Sequence, residues 1–193
     1  WAERSKTNKN KSQREVSTNE EGDAELTDDI KNNETDDEDD RQKIADAINN
    51  LDPYKFELFC RALVNRMHVE MSDKIGVKKS NDGGLDGYGY ITTDDFRTTR
   101  VAIQAKHWNG SLVQAPEIDK FRGAMDSYRA EYGIFITTSG FTRGAIKKAR
   151  TGTRVITLID GDRLVDLVIK YQLHVKKVVK VSYELDDFLS SNE

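Results

Sequence analysis

The sequence is poor in cysteine, in long apolar runs and in patterned histidine, and each shortage closes off a class of function. One cysteine, Cys60, stands in 193 residues, so no internal disulfide can form. It lies inside the apolar-periodic stretch FELFCRALV, which suits a core position, and no histidine nearby suggests an activated thiol. A reducing, cytoplasmic setting is expected. No stretch approaches the roughly 18 consecutive apolar residues of a membrane span, and no secretory signal pattern is visible. His68, His107 and His174 lack zinc-ligand spacing, no G-x-x-x-x-G-K-[ST] phosphate loop occurs, and no segment repeats.

Apolar residues are also scarce at the start. Residues 1–40 include only Trp1, Ala2, Val16, Ala24, Leu26 and Ile30 from the hydrophobic set. Such a segment buries too little apolar area to offset ordering, so a disordered charged linker is expected over 1–40. It holds 14 Asp+Glu against 6 Lys+Arg, a net of −8. The whole chain is −4, so residues 41–193 carry a net of +4. The acidic balance belongs to the linker and the folded part is mildly basic, which permits a polyanionic partner. The basic start of the linker (Arg4, Lys6, Lys9, Lys11, Arg14) reads as a solvated segment or a DNA-touching arm. Deleting residues 1–40 should leave the thermal midpoint nearly unchanged; a large drop would show that they dock on the domain.

From Arg41 the pattern becomes regular, and a folded domain over 41–185 with a tail at 186–193 is expected. Ile44, Ala47, Ile48 and Leu51 suggest a short helix. Asp52 can cap the next, with Pro53 in its first turn and Phe56, Phe59, Cys60, Leu63 and Val64 as its apolar stripe. Extended segments are expected near 69–79, 85–93 and 100–106. A helix from about 115 follows, with Gly123 allowing close approach to a sheet. YGIFITTS then reads as a buried strand, FTRGAIKKARTG as a helix, RVITLID as a strand and GDRLVDLVIKYQL as a helix. HVKKVVKVSYEL suggests an edge strand with lysines facing out. This order, α then a β meander then α-β-α-β-α, predicts an α/β fold: a mixed central sheet with helices on both faces.

One strand is unusual. In RVAIQAKHW, Val101, Ile103 and Ala105 alternate with Ala102, Gln104 and Lys106, so an otherwise buried strand aims an amide and an ammonium the same way. The preceding NDGGLDGYGYI forms a hairpin with it; a loop centred on Phe96 sets Asp86 opposite Lys106. Gly83, Gly84, Gly87 and Gly89 would keep the backbone open there for a bulky ligand. A carboxylate and an amide oxygen can share a divalent cation, and a lysine beside it can offset developing negative charge. Glu57, on the preceding helix, is a candidate third oxygen ligand, or else a solvent-facing carboxylate. The plainer account of the trio is an Asp–Lys pair at a strand end. Asp82 reads most simply as a turn residue before Gly-Gly. Trp108 either stacks on a base or packs on the sheet edge. Arg122, Arg129, Arg143, Lys147, Lys148 and Arg150 are candidate phosphate contacts or an ordinary wet face, and ITTSGFTRGA is a capped strand-to-helix turn or a phosphate cradle.

FELFCRALV, NDGGLDGYGYI, VAIQAK, EIDKFRGAM, YGIFITTSGFTRGAIKKA and VITLIDGDRLVDLV, in this order over about residues 53–172, resemble the catalytic domain of the Mrr family. These are restriction endonucleases of the PD-(D/E)xK nuclease superfamily. The resemblance implies a restriction-endonuclease-like core and a Mg2+-dependent endodeoxyribonuclease, with Mn2+ as substitute, acting on modified, methylated double-stranded DNA. It matches Asp86 to the family's metal-binding Asp, Gln104 and Lys106 to its Q-x-K motif, and Glu57 to the acidic residue of the first helix. Gln104 departs from the wider superfamily, where Glu or Asp is usual; Mrr-like enzymes commonly carry Gln there. The resemblance further implies a homodimer, and an N-terminal winged-helix module outside this chain, which opens on Trp1 rather than Met. The rival expectations are a DNA-binding module with this fold and no catalysis, or a junction or repair nuclease.

Overall fold

The computed structural model of the chain describes residues 37–72, 85–108, 110–152, 154–179, 181 and 183. The chain divides into two units, Trp1–Asp40 and Arg41–Glu193, and the sheet lies in the second. Helix α1 covers residues 37–49, so helix begins ahead of the expected boundary at Arg41 and takes in part of TDDEDD. Carboxylates toward the N-terminal end of a helix are favoured by its dipole. The deletion that tests the linker should therefore stop short of Asp37. The rest of the expected linker, the 186–193 tail, Asp82, Gly83 and Gly84 lie outside the described residues.

Helix α2 (Pro53–Arg66) starts as its sequence dictates. The Asp52 side chain accepts the Lys55 N–H at 3.1 Å, Pro53 occupies the first turn, and Phe56, Cys60, Leu63 and Val64 are buried at helical spacing. Strands β1 (Glu70–Met71), β2 (Gly87–Thr92) and β3 (Thr98–Lys106) follow, then α3 (Ala115–Ser127), β4 (Tyr132–Thr137), α4 (Arg143–Arg150), β5 (Ile156–Ile159) and α5 (Gly161–Tyr171). Thr142 caps α4 through the Ala145 N–H, and Asp160 caps α5 through the Arg163 N–H. The strands lie in sequence order, antiparallel from β1 to β3 and parallel from β3 to β5.

The two crossovers, β3-α3-β4 and β4-α4-β5, step across the sheet in one direction, so a common handedness puts α3 and α4 on one face. Two cores result. Val101, Ile103 and Ala105 of β3 pack with Phe56, Cys60 and Leu63 of α2 and Leu164 and Val168 of α5. Ala102 packs on the other face with Ile118 and Phe121 of α3, Phe135 of β4 and Ala145 of α4. Because β4 is covered on both sides, Ile134, Phe135 and Ile136 are buried in succession. The expected mixed sheet with helices on both faces is what the chain forms.

Two local expectations fail. Gly123 has open space where a Cβ would stand; the close approach is at Gly133, where a Cβ would lie 2.7 Å from Met125 Sδ and 2.8 Å from Phe121 Cε1. Gly133→Ala should therefore cost about 1–3 kcal/mol by overpacking, read from urea unfolding. Of the expected 69–79 segment, Glu70–Met71 is strand, and residues 73–79 lie outside the described residues. Residues 174–179 are not strand, and Val178 and Val179 are 69% and 80% exposed. Among the described residues no helix is long and apolar enough to cross a membrane.

Candidate active site

The β2–β3 pair sets the site. Its register couples Gly87 with Ile103 and Thr92 with Thr98, and the loop closes through Thr93 N–H to Arg97 O at 3.1 Å. The turn is thus centred on Asp95, one residue before Phe96. The ladder ends at Gly87–Ile103, and Asp86, whose N–H donates to Ile103 O, is not paired opposite Lys106 as the sequence suggested. Asp86 nevertheless stands at the same end of the hairpin as Gln104 and Lys106, since its carboxylate reaches the Ala105 N–H.

Asp86 is fixed by main chain. Its N–H donates to Ile103 O at 3.0 Å, and its Oδ2 accepts the Ala105 N–H at 2.6 Å. Its carboxylate is therefore held against the Gln104–Ala105 peptide. Arg61 of α2 donates to Asp86 O at 2.9 Å and Ser72 O at 3.3 Å, tying the start of β2 to β1. Gly87 makes that possible: a Cβ there would lie 2.7 Å from Arg61 Nη1. The room at Gly87 is thus taken by Arg61 and not by a ligand, which corrects the sequence reading.

Gln104 is 6% exposed, and its Oε1 has no hydrogen-bond partner. An orphaned buried amide oxygen is costly unless something occupies it. Glu57 sits half-buried on α2, and burial raises its carboxyl above the ordinary 4.5. Buried Cys60 connects it with Asp86. Burial, then the charge of Asp86, then that of Glu57 push its thiol well above the usual range, so both carboxylates lie within electrostatic reach of it. That keeps Cys60 an inert core thiol.

Lys106 is engaged elsewhere. Its ammonium pairs with Glu117 in the first turn of α3 and lies 4.4 Å from the centroid of the Trp108 ring. Through the Ala105 N–H, Asp86 is held at the end of β3 that carries Gln104 and Lys106, while Glu57 stands on α2. Sequence reading missed Glu117; its only signal was its place in EIDKFRGAM shortly after the Q-x-K motif.

Other candidates resolve into structural roles. Arg122 donates to Lys148 O and Thr151 O, closing the end of α4, while Lys148 pairs with Asp119 at 3.0 Å. Arg143, Lys147 and Arg150 remain exposed on α4. In ITTSGFTRGA, Thr142 caps the helix and its own N–H donates to Val113 O. His107 Nε2 is 3.1 Å from Asn49 O, and its ring meets Phe56 edge-on.

The donor set suits a hard divalent ion. No cluster of three or more His, Cys, Asp or Glu is placed for a metal among the described residues. Mg2+ does not require one: it is commonly held by one or two carboxylates, with waters and substrate phosphate completing its shell. Asp86, the unsatisfied Gln104 oxygen and the desolvated Glu57 fit that pattern.

The profile of the Mrr catalytic domain (Mrr_cat), a restriction endonuclease family, matches residues 48–168. This chain belongs to that family. It is 35% identical over 150 residues to the type IV methyl-directed restriction enzyme EcoKMrr of Escherichia coli (strain K12), covering 73% of this chain and 47% of that enzyme. The chain thus spans about half the length of that Mrr relative. The fold is similar to the DNA modification-dependent restriction endonuclease AspBHI (TM-score 0.58, 19% identity, 70% of this chain and 36% of that one). It is also similar to MspJI restriction endonuclease, solved with a 27-mer oligonucleotide (TM-score 0.55, 20% identity, 69% and 31%).

The raised Glu57 carboxyl has a stability consequence with a definite sign. Above about pH 4.5 the unfolded chain gives up this proton more readily than the folded one, so the native state binds more protons and stability falls as pH rises. Glu57→Gln should raise the thermal midpoint slightly at pH 7, with the gain vanishing below pH 4.5. An equal gain at both pH values would contradict the desolvation account.

Proposed function

We propose that the chain is a Mg2+-dependent endodeoxyribonuclease domain, served also by Mn2+, that cuts double-stranded DNA bearing methylated or otherwise modified bases. The observation carrying this reading is the Asp86 carboxylate anchored on the Ala105 N–H, at the strand end that also carries a buried amide oxygen without a partner and a lysine, in a chain of the Mrr family. Asp86 and Gln104, joined by Glu57, would hold the ion. Once bound, the cation would polarise the scissile phosphate and lower the pKa of a bound water.

The protein's own contribution is placement and charge. Asp86 supplies the fixed negative charge at this end of the hairpin. Gln104 offers a neutral oxygen on a buried strand, so it orients the ion while adding no charge. The Lys106 ammonium offsets negative charge developing on the phosphate. Exposed Arg143, Lys147 and Arg150 of α4 serve as phosphate contacts that position DNA without reading its sequence. Each such site cuts one strand, so duplex cleavage would use two copies, paired as a homodimer.

The test is a plasmid assay with four arms, methylated and unmethylated DNA each with and without Mg2+. Nicking or linearisation of methylated DNA in Mg2+ alone is expected. Equal cutting of both DNAs would overturn the modification preference. Binding without cleavage in every arm would favour the module that grips DNA without cutting it.

A further inference from the structure

Lys106 does not stand open at the candidate site. Its ammonium is gripped by the Glu117 carboxylate and covered by the Trp108 ring, 4.4 Å from ammonium to centroid. Both grips are mounted on rigid supports. The Trp108 N–H donates to Thr138 Oγ1 at 2.9 Å, and Thr138 Oγ1 donates back to Trp108 O at 3.1 Å, which fixes the backbone just past the end of β4. Glu117 sits in the first turn of α3, three residues after the N-cap Gln114. A glutamate at that position ordinarily folds back on its own helix start. Here the α3 cap has no side-chain hydrogen bond, and Glu117 is turned to Lys106 instead. The lysine and glutamate side chains are 32% and 26% exposed, so solvent screens their attraction only in part.

We propose that Glu117 is the positioning residue for Lys106. The inference rests on the function proposed for Lys106. A lysine has four rotatable carbons, and an untethered ammonium at this corner would sample many positions. The carboxylate and indole confine it to one while leaving it charged, at the end of β3 where the scissile phosphate would arrive. Placement of this kind is worth one to two orders of magnitude in rate when lost. Glu117 also balances the positive end of α3, which would otherwise repel the ammonium.

The test uses the full chain and variants Glu117→Ala, Glu117→Gln and Glu117→Asp, each checked for an unchanged circular dichroism spectrum and thermal midpoint. The first readout needs neither metal nor DNA: acetylation of Lys106 by acetic anhydride, followed by mass spectrometry. Glu117→Ala should label severalfold faster than the parent, and Glu117→Asp at an intermediate rate. The second readout is steady-state cleavage. Glu117→Ala should lower kcat by ~10-fold or more with KM for DNA unchanged or lower, since a negative charge has left. Glu117→Asp should restore part of kcat, and Glu117→Gln less. Labelling at the parental rate would overturn the grip. Parental cleavage that Glu117→Ala leaves within about twofold would overturn the positioning role alone. A parent that labels as expected but cuts no DNA would overturn the functional reading itself, and the positioning role with it.

Discussion

Lys106→Ala should leave the fold intact and lower Mg2+-dependent cleavage by at least ~10²-fold, as expected for loss of a group that acts in the chemical step. The fold should survive because Lys106 is the last residue of β3, is partly exposed, and adds no apolar area to either core. Removing it also releases Glu117, leaving an unpaired carboxylate near the path of the phosphate. That adds repulsion to the lost positive charge. Single-turnover cleavage beside a denaturation curve separates the two effects. Cleavage within a few-fold of the parent would remove Lys106 from the chemistry.

Asp86→Asn should weaken Mg2+ or Mn2+ binding strongly and take cleavage with it. Asparagine keeps the shape and can still accept the Ala105 N–H, so the backbone arrangement is retained. What leaves is the negative charge held on the Ala105 N–H. With Gln104 neutral, Glu57 on α2 would be the one carboxylate left among the proposed ligands to retain a divalent ion. Gln104→Glu works in the opposite direction, adding charge at the same length and direction. It should keep or tighten ion binding, while cleavage falls if the neutral amide sets metal number or product release. Calorimetric titration of the three proteins tests both. Asp86→Asn binding the ion as well as the parent would show that the metal is held elsewhere.

Local signals carried most of the fold. Asp52-Pro53 ahead of an apolar stripe marked α2, unbroken apolar runs marked β4, and Thr142 and Asp160 stood where caps were needed. The hairpin register was less legible. Phe96 suggested the turn centre, but at 85% exposure it marks only the tip, and the Thr93–Arg97 hydrogen bond sets the register around Asp95. A one-residue error in the centre shifts every pairing by two, so the expected Asp86–Lys106 pair does not form. Glycines misled more. Gly123 looked like a packing contact and faces open space, whereas Gly133 receives Phe121 and Met125 from the same helix. Which glycine a helix meets depends on how it crosses the sheet, and periodicity does not encode that. The same limit hid Glu117, whose contact with Lys106 exists because α3 returns its first turn to the end of β3.

The proposed site of Asp86, Gln104 and Lys106 would bind a divalent ion and cut DNA. Nicking of supercoiled plasmid by the parent and by Asp86→Asn, each in Mg2+ and in EDTA, tests it most directly. The account predicts nicked or linear product for the parent in Mg2+ and none in the other three reactions. Equal nicking by Asp86→Asn in Mg2+, or by the parent in EDTA, would contradict it.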